Sequence, residues 1–200
     1  MNERATGGRT RRIRAWLLAL AETAALTLAL FVGVETVVAQ PYQVHQVSME
    51  QTILPGQRVI VDKLTPRFSP YQRGDIVVFA EPGAPAGSAP LIKRVVGLPG
   101  DTIELRGGHV VLDGVALDEP YIYPGQVTLP LTSQSRWVVP DGSLFVLGDH
   151  RQDSRDSRWF GPVPIANVIG RAWLRYGPLD QFEVIGTPTF PTLSPAPSPS

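Results

Sequence analysis

The sequence predicts a mainly β protein, an antiparallel coiled-sheet or β-barrel-like domain anchored by one N-terminal transmembrane helix. After Pro41, short runs of β-forming residues alternate with Gly and Pro turns, a pattern typical of strands in an all-β domain. Residues 107–108 (Gly-Gly) and 113–114 (Asp-Gly) are dipeptides favoured in two-residue hairpin turns, where both positions need positive φ. Residues 15–39 form one long apolar segment.

The N-terminal region has the charge pattern of a single-pass membrane anchor. Residues 1–14 carry five arginines against one acid, Glu3. Residues 15–39 are almost wholly apolar and, at about 1.5 Å per residue, could cross a bilayer core of about 30 Å as a helix. Because positively charged flanks stay inside, we predict a cytoplasmic segment 1–14, an anchor 15–39 in the cytoplasmic (inner) membrane, and everything after Ala39 outside.

Two features of this segment argue against an anchor. Glu22 and Glu35 lie within it, and each would cost about 2–3 kcal/mol at the bilayer centre. We place both near the interfaces, where the apolar excess outweighs them. The alternative is a cleaved secretory signal, because residues 37–39 (Val-Val-Ala) have the small-residue character of a cleavage site. The apolar run exceeds the about 7–15 residues of a signal's apolar region, which favours the uncleaved anchor.

The remainder of the chain divides into a β-rich domain, residues 40–185, and a Pro/Ser-rich tail, residues 186–200, which we expect to be disordered. Residues 118–140 have weak periodicity, and we predict a surface excursion there. The predicted strands are residues 58–63, 75–80, 91–96, 102–106, 109–112, 115–117, 143–147 and 167–176.

Composition excludes several classes of function. The hydrophobic fraction of 43% with formal net charge +0 argues against a disordered chain, and it gives no electrostatic reason to expect a nucleic-acid partner. The chain has no cysteine, so a disulfide framework, a thiolate nucleophile and a cysteine-ligated zinc site are excluded. Its cations are nearly all arginines, and only Lys63 and Lys93 are lysines. Burial can make an amine neutral near pH 7, whereas a guanidinium stays charged.

Ser48 and Lys93 are the candidate reacting groups. In a strand over 91–96, Lys93 shares a face with Leu91 and Val95, where an ammonium is costly unless it is paired or loses its proton. A lysine held neutral is an accepted base for a serine nucleophile. Taken singly, such a lysine is more often an edge-strand residue whose head reaches water, and such a serine is more often a turn residue.

A third polar segment, residues 148–158, directly follows a predicted strand and is crowded with opposite charges. It is either a solvated loop whose surface ion pairs contribute little, or a rigid support for the reacting groups, with the Ser154 hydroxyl orienting the lysine amine. Composition does not decide between these readings.

Taken together, the segments resemble one family, the type I signal peptidases. The family's pattern Ser-Met-x-Pro-Thr-Leu resembles residues 48–53, and Lys-Arg-Val-x-Gly-x-Pro-Gly-Asp is matched throughout at residues 93–101. Arg-Gly-Asp-Ile-Val-x-Phe is matched at residues 73–79, and Gly-Asp-Asn-Arg-x-x-Ser-x-Asp-Ser-Arg at residues 148–158 with one change. The resemblance covers roughly residues 15–176.

This resemblance implies a membrane-bound serine endopeptidase that removes signal peptides from exported preproteins, without a metal or organic cofactor. Ser48 would be the nucleophile and oxyanion donor, and Lys93 the neutral general base oriented by Ser154. Its partners would be the lipid bilayer and preproteins lying extended along a strand edge with small residues at −1 and −3. The resemblance further implies supporting ion pairs Asp149–Arg94 and Asp156–Arg158, and our candidates for the substrate pocket are Met49, Ile53, Ile92 and Val95.

Three positions depart from the family pattern. Gln51 stands where the family has Pro, which removes a fixed φ and frees a backbone N–H. His150 replaces the usual Asn. Gln46 stands where some members place a serine that assists the oxyanion hole, so such help must come from an amide, a water or nothing.

Other functions stay open. A self-cleaving serine–lysine peptidase of the repressor type would share the catalytic fold, but those proteins are cytosolic. A membrane-tethered β-barrel binding module, or an inactive relative, would keep the scaffold without the reaction. A Ser-His-Asp triad could draw on His45, His109 or His150.

Overall fold

The computed structural model describes residues 6–33, 38–177 and 182–186, and the chain separates into two compact units, residues 1–39 and residues 40–200. The first unit contains helix α1, Thr6–Gly33. Its segment Arg11–Gly33 is long and apolar enough to cross a membrane, and the side chains of residues 11–32 are exposed throughout. The helix therefore begins before the predicted residue 15 and includes Glu22, whereas Glu35 lies outside the described residues.

The second unit is built on two antiparallel sheets. The strands of the larger sheet are β1 (Ala39–Gln43), β2 (Arg58–Asp62), β3 (Ile76–Phe79), β4 (Leu91–Gly97), β9 (Ser143–Leu147), β10 (Val163–Pro164), β11 (Val168–Arg175) and β12 (Glu183–Val184). These eight strands follow the order β1-β2-β11-β3-β4-β9-β10, with β12 pairing β11.

The strands of the smaller sheet are β5 (Thr102–Arg106), β6 (His109–Leu112), β7 (Val115–Ala116) and β8 (Arg136–Val138). They form a meander in the order β7-β6-β5-β8. Its hairpin turns are those that the dipeptides predict, with φ of 61° and 84° at Gly107 and Gly108 and of 48° and 86° at Asp113 and Gly114. The short helix α2 (Ser157–Phe160) follows β9.

The fold class predicted from the sequence is confirmed, and the central strand β4 is buried on both faces. Val95 packs in a core cluster on one face of the large sheet, and Ile92 in a second cluster on the other. The alternation predicted for residues 91–96 therefore holds.

The predicted surface excursion at residues 118–140 is wrong in part, because this segment contributes buried side chains and a strand. Trp137 lies in β8 and packs with Phe145 in the core. Tyr121 and Thr128 are also buried. Besides β8, the sequence patterns miss β1, β10 and β12, of which β10 and β12 have only two residues each. Except for Gly186, the predicted tail lies outside the described residues.

Candidate active site

Ser48 lies in a tight turn between β1 and β2. The turn is closed by three backbone hydrogen bonds: Glu50 N donates to the Val47 carbonyl at 2.9 Å, and the Met49 carbonyl accepts from Thr52 N at 3.0 Å and from Ile53 N at 2.8 Å. Met49 and Ile53 are fully buried in the core and anchor the turn. This packing leaves Ser48 almost buried but bordering a cavity.

Lys93 projects from β4 towards this serine. Its Nζ atom lies 2.7 Å from Ser48 Oγ, 2.9 Å from the Ile92 carbonyl oxygen and 3.4 Å from Gln46 Oε1. Only 1% of the residue is exposed. Burial lowers the pKa of Lys93 from 10.5 to about 8, although the carboxylates of Asp156 and Asp149 act in the opposite direction. A hydroxyl beside such an amine can pass its proton to it during nucleophilic attack.

The pair borders a cavity of about 330 Å³. Among the residues the structure describes, no group of three or more His, Asp or Glu side chains could hold a metal ion. The lining residues are His45, Gln46, Val47, Ser48, Leu91, Lys93, Asp153 and Arg155.

A buried ion pair joins β4 to the loop after β9, on the face of the sheet opposite Lys93. Arg94 donates to both carboxylate oxygens of Asp149, from Nε at 2.8 Å and from a terminal nitrogen at 2.7 Å. Thr52 Oγ1 donates to the same carboxylate at 2.5 Å and accepts from Arg94 at 3.0 Å. The Ser48 carbonyl accepts from His150 N at 3.0 Å. The serine turn is thus tied to both β4 and the loop after β9.

A second buried pair, Asp156–Arg158, stabilises that loop from within. The carboxylate accepts from Nε and a terminal nitrogen of Arg158, each at 2.8 Å, and from Gly148 N at 3.1 Å. Arg158 also donates to the Arg151 carbonyl at 2.6 Å. Its other terminal nitrogen donates to the Leu129 carbonyl at 3.2 Å, outside the loop. Because these charges are buried and hydrogen-bonded, the segment is a packed support rather than a solvated string of charges.

The chain matches the family described as signal peptidase, peptidase S26, over residues 15–177. It belongs to the signal peptidase I family. It is 38% identical to a signal peptidase I of Leptolyngbya laminosa over 172 residues, covering 84% of this chain and 83% of the relative. It is 40% identical to a probable signal peptidase I-1 of Synechocystis sp., covering 87% and 86%, and 36% identical to a signal peptidase I of Bacillus caldolyticus, covering 88% and 97%. The recognition from sequence motifs is confirmed.

A third buried ion pair, Glu119–Arg151, was not predicted from the sequence. Arg151 donates to both oxygens of Glu119, at 2.6 and 3.0 Å, and to Thr128 Oγ1. Tyr121 donates to Glu119 at 2.8 Å, and its ring lies 4.1 Å from the Arg94 guanidinium carbon. The segment before β8 is therefore fixed against the loop after β9. Glu119 and Arg151 lie 32 residues apart, and no local pattern pairs them.

Two groups of predicted site residues are placed differently from the expectation. Ser154 Oγ is buried and has no hydrogen-bond partner among the described residues. The Lys93 amine bonds to Ser48, Ile92 and Gln46 and not to this hydroxyl. The four predicted pocket residues are fully buried in the core and do not line the cavity, whose apolar lining comes from Val47 and Leu91 instead. Those four are Met49, Ile53, Ile92 and Val95.

The positions that depart from the family pattern have distinct surroundings. Gln51 has φ of 91°, a conformation that proline cannot adopt. His150 stacks on Tyr123 with ring centroids 4.6 Å apart, and its Nδ1 lies 3.0 Å from Glu50 Oε2. Its imidazole is therefore engaged away from the serine hydroxyl. Of the other histidines, His45 lines the cavity, whereas His109 lies in the smaller sheet.

Proposed function

We propose that this protein is a membrane-bound serine endopeptidase that cleaves N-terminal signal peptides from exported preproteins through a Ser48–Lys93 dyad. The observation that carries the proposal is the 2.7 Å contact between Ser48 Oγ and the buried Lys93 Nζ. Membership of the signal peptidase I family supports this function over a binding module or an inactive scaffold.

The reaction begins with attack of Ser48 Oγ on the scissile carbonyl while the neutral Lys93 amine takes the hydroxyl proton. The carbonyl oxygen becomes an oxyanion, to which the Ser48 backbone N–H donates. Lys93 then returns the proton to the leaving amine, and a water hydrolyses the acyl-enzyme by the same route. A pKa of about 8 suits both roles, since the amine is neutral in a substantial fraction of molecules near pH 7–8 and still acidic enough to donate.

The substrate proposal rests on the cavity and on the strand beside it. A space of about 330 Å³ bordered by Val47 and Leu91 suits small apolar side chains, and we assign to it the small residues at −1 and −3. An extended peptide would pair with the backbone of β4 at its start.

For the chain's arrangement we propose a cytoplasmic segment 1–14, an anchor 15–39, a peptidase domain 40–185 on the outer side of the cytoplasmic membrane, and a Pro/Ser-rich tail 186–200. The support is the arginine-rich flank, which favours the inside, and the length and exposed apolar surface of residues 11–33. Protease protection in sealed inside-out vesicles would test the orientation: the peptidase domain should be protected, and protection of the N-terminal segment alone would contradict the proposal.

The direct test is cleavage of a purified preprotein by the full chain in detergent or liposomes. Ser48→Ala and Lys93→Ala are expected to lose at least a thousandfold in kcat/KM, whereas Ser88→Ala, an exposed turn serine, and Lys63→Ala keep it. Wild-type activity in either dyad variant would reject the assignment.

The same assay distinguishes the dyad from a histidine triad. His150→Asn should retain kcat/KM within about threefold, because its ring contacts Tyr123 and Glu50 rather than the serine hydroxyl. A triad based on that histidine requires near-complete loss.

A further inference from the structure

The first residues of β4 have an open edge within the described sheet. Residues 91–94 pair with β3, but pairing with β9 starts only at Arg94. Val95 exchanges its backbone bonds with residues on the β3 side, and backbone groups alternate along a strand. The carbonyl of Pro90 and the N–H of Ile92 therefore face the side that has no neighbouring strand among the described residues.

Both of these backbone groups bond to the side chain of Gln46. Its Nε2 donates to the Pro90 carbonyl at 3.0 Å, and its Oε1 accepts from Ile92 N at 3.4 Å. One donor and one acceptor held in one plane are what the peptide group of an adjacent strand would present.

The position of Gln46 relates this edge to the reaction. The side chain lines the cavity, and its Oε1 also lies 3.4 Å from Lys93 Nζ. It stands two residues before Ser48, so an extended peptide whose scissile carbonyl reached Ser48 Oγ would run over the same backbone groups.

We propose that the Gln46 carboxamide is a stand-in for a substrate peptide group on the open edge of β4, and that a bound substrate displaces it. The inference rests on the proposed function. A substrate N–H replaces Nε2 on the Pro90 carbonyl, and a substrate carbonyl replaces Oε1 on Ile92 N–H.

The contacts around Gln46 favour such an exchange. Two of its three bonds are 3.4 Å long, at the weak limit of hydrogen bonding. The Pro90 carbonyl also accepts from the Tyr42 hydroxyl at 2.8 Å, a bond that can persist because a carbonyl oxygen has two lone pairs. Lys93 keeps its contacts with Ser48 and the Ile92 carbonyl. Displacement therefore weakens substrate binding without dismantling the reacting pair.

The first test is Gln46→Ala in the full chain with a signal-peptide substrate. Removing the competitor should lower KM about fivefold, roughly the net value of one amide hydrogen bond, with kcat within twofold. In a Ser48→Ala background, the Kd of the same peptide should fall by the same factor. Gln43→Ala, an identical change at an exposed position of β1, should alter neither quantity. An unchanged or raised KM in Gln46→Ala overturns the inference.

A second variant tests the contact between the side chain of residue 46 and the Lys93 amine without changing the size of that side chain. Gln46→Glu keeps the size of the side chain but cannot donate to the Pro90 carbonyl, and it places a carboxylate beside Lys93. The acid limb of the kcat/KM profile should move up by about one pH unit. An unshifted limb contradicts contact between this side chain and the amine. Failure of wild type to cleave at all would reject the proposed function, whereas wild-type cleavage with no effect at Gln46 rejects only this inference.

Discussion

Replacing Lys93 by methionine should stabilise the folded protein at pH 7 while abolishing the proposed reaction. The residue is 99% buried, and burial lowers its pKa from 10.5 to about 8. Well above pH 10.5 the amine is neutral in both folded and unfolded chains, and well below pH 8 it is charged in both. Between these values the unfolded chain binds more protons, so the free energy of unfolding rises with pH. At pH 7 the native state therefore carries nearly the full cost of a buried ammonium.

The magnitude follows from the size of the pKa shift. A pKa difference of about 2.5, 10.5 minus 8, corresponds to about 3 kcal/mol at roughly 1.4 kcal/mol per pKa unit. Methionine removes that cost, but it leaves Ser48 Oγ and the Ile92 carbonyl without the amine, which costs about 1–2 kcal/mol. The net expectation at pH 7 is a gain of about 1–2 kcal/mol.

Denaturant unfolding of wild type and Lys93→Met at pH 7, 8, 9, 10 and 10.5 measures this difference. The advantage of the variant should shrink above pH 8 and reverse by pH 10.5, where the neutral amine keeps its hydrogen bonds at no desolvation cost. Titrations shared by the two proteins cancel in the difference. A difference that stays constant across this range would refute a depressed pKa at Lys93, and with it the basis for a neutral base.

Three further outcomes follow from the geometry around the serine turn. Because Gln51 has φ of 91°, Gln51→Gly should stabilise the protein by about 1 kcal/mol in thermal unfolding, whereas Gln51→Pro should cost about 3 kcal/mol. Equal stabilities of these two variants would contradict a positive φ at this position. Gly148→Ala places a Cβ 2.6 Å from the Ser48 carbonyl oxygen and should lower both kcat/KM and stability, whereas Gly186→Ala, with open space around it, should change neither. Glu119→Ala leaves the buried guanidinium of Arg151 without its carboxylate and should cost about 3–5 kcal/mol in urea unfolding. The double variant Glu119→Leu with Arg151→Met should recover most of this stability, and a cost of Glu119→Ala below about 1 kcal/mol would show that the pair is hydrated.

Local patterns were enough to predict most of the fold. The Gly107-Gly108 and Asp113-Gly114 turns could be predicted because positive φ at two consecutive positions restricts the residues allowed there. The opposite orientations of Lys93 and Arg94 follow from the two-residue period of a strand, and neighbouring residues of β4 do pack on opposite faces of the large sheet. The serine–lysine contact itself came from pairing two motifs that lie 45 residues apart.

The features that the sequence did not predict depend on contacts between distant residues, which no local residue pattern records. Glu119 and Arg151 meet only because the segment before β8 folds back over the loop after β9. Ile92 and Val95 are apolar and close to the lysine in sequence, but β4 lies inside the sheet and both of its faces are covered. Their closeness to Lys93 along the chain therefore predicted that Ile92 and Val95 line the cavity, whereas in the structure they lie in the core. Gln46 bonds to the edge of β4 through a loop conformation that its own residue type does not specify.

The two adjacent cations of β4 serve opposite sides of the sheet, Lys93 facing the serine hydroxyl and Arg94 facing Asp149. Deleting Leu91 or Ile92 while the start of the strand keeps its place would exchange the two cations and bring a permanently charged guanidinium to Ser48, whereas the loop before the strand could absorb a deletion of one residue. Among relatives, length variation should accordingly collect in residues 80–90 and be absent from the strand itself.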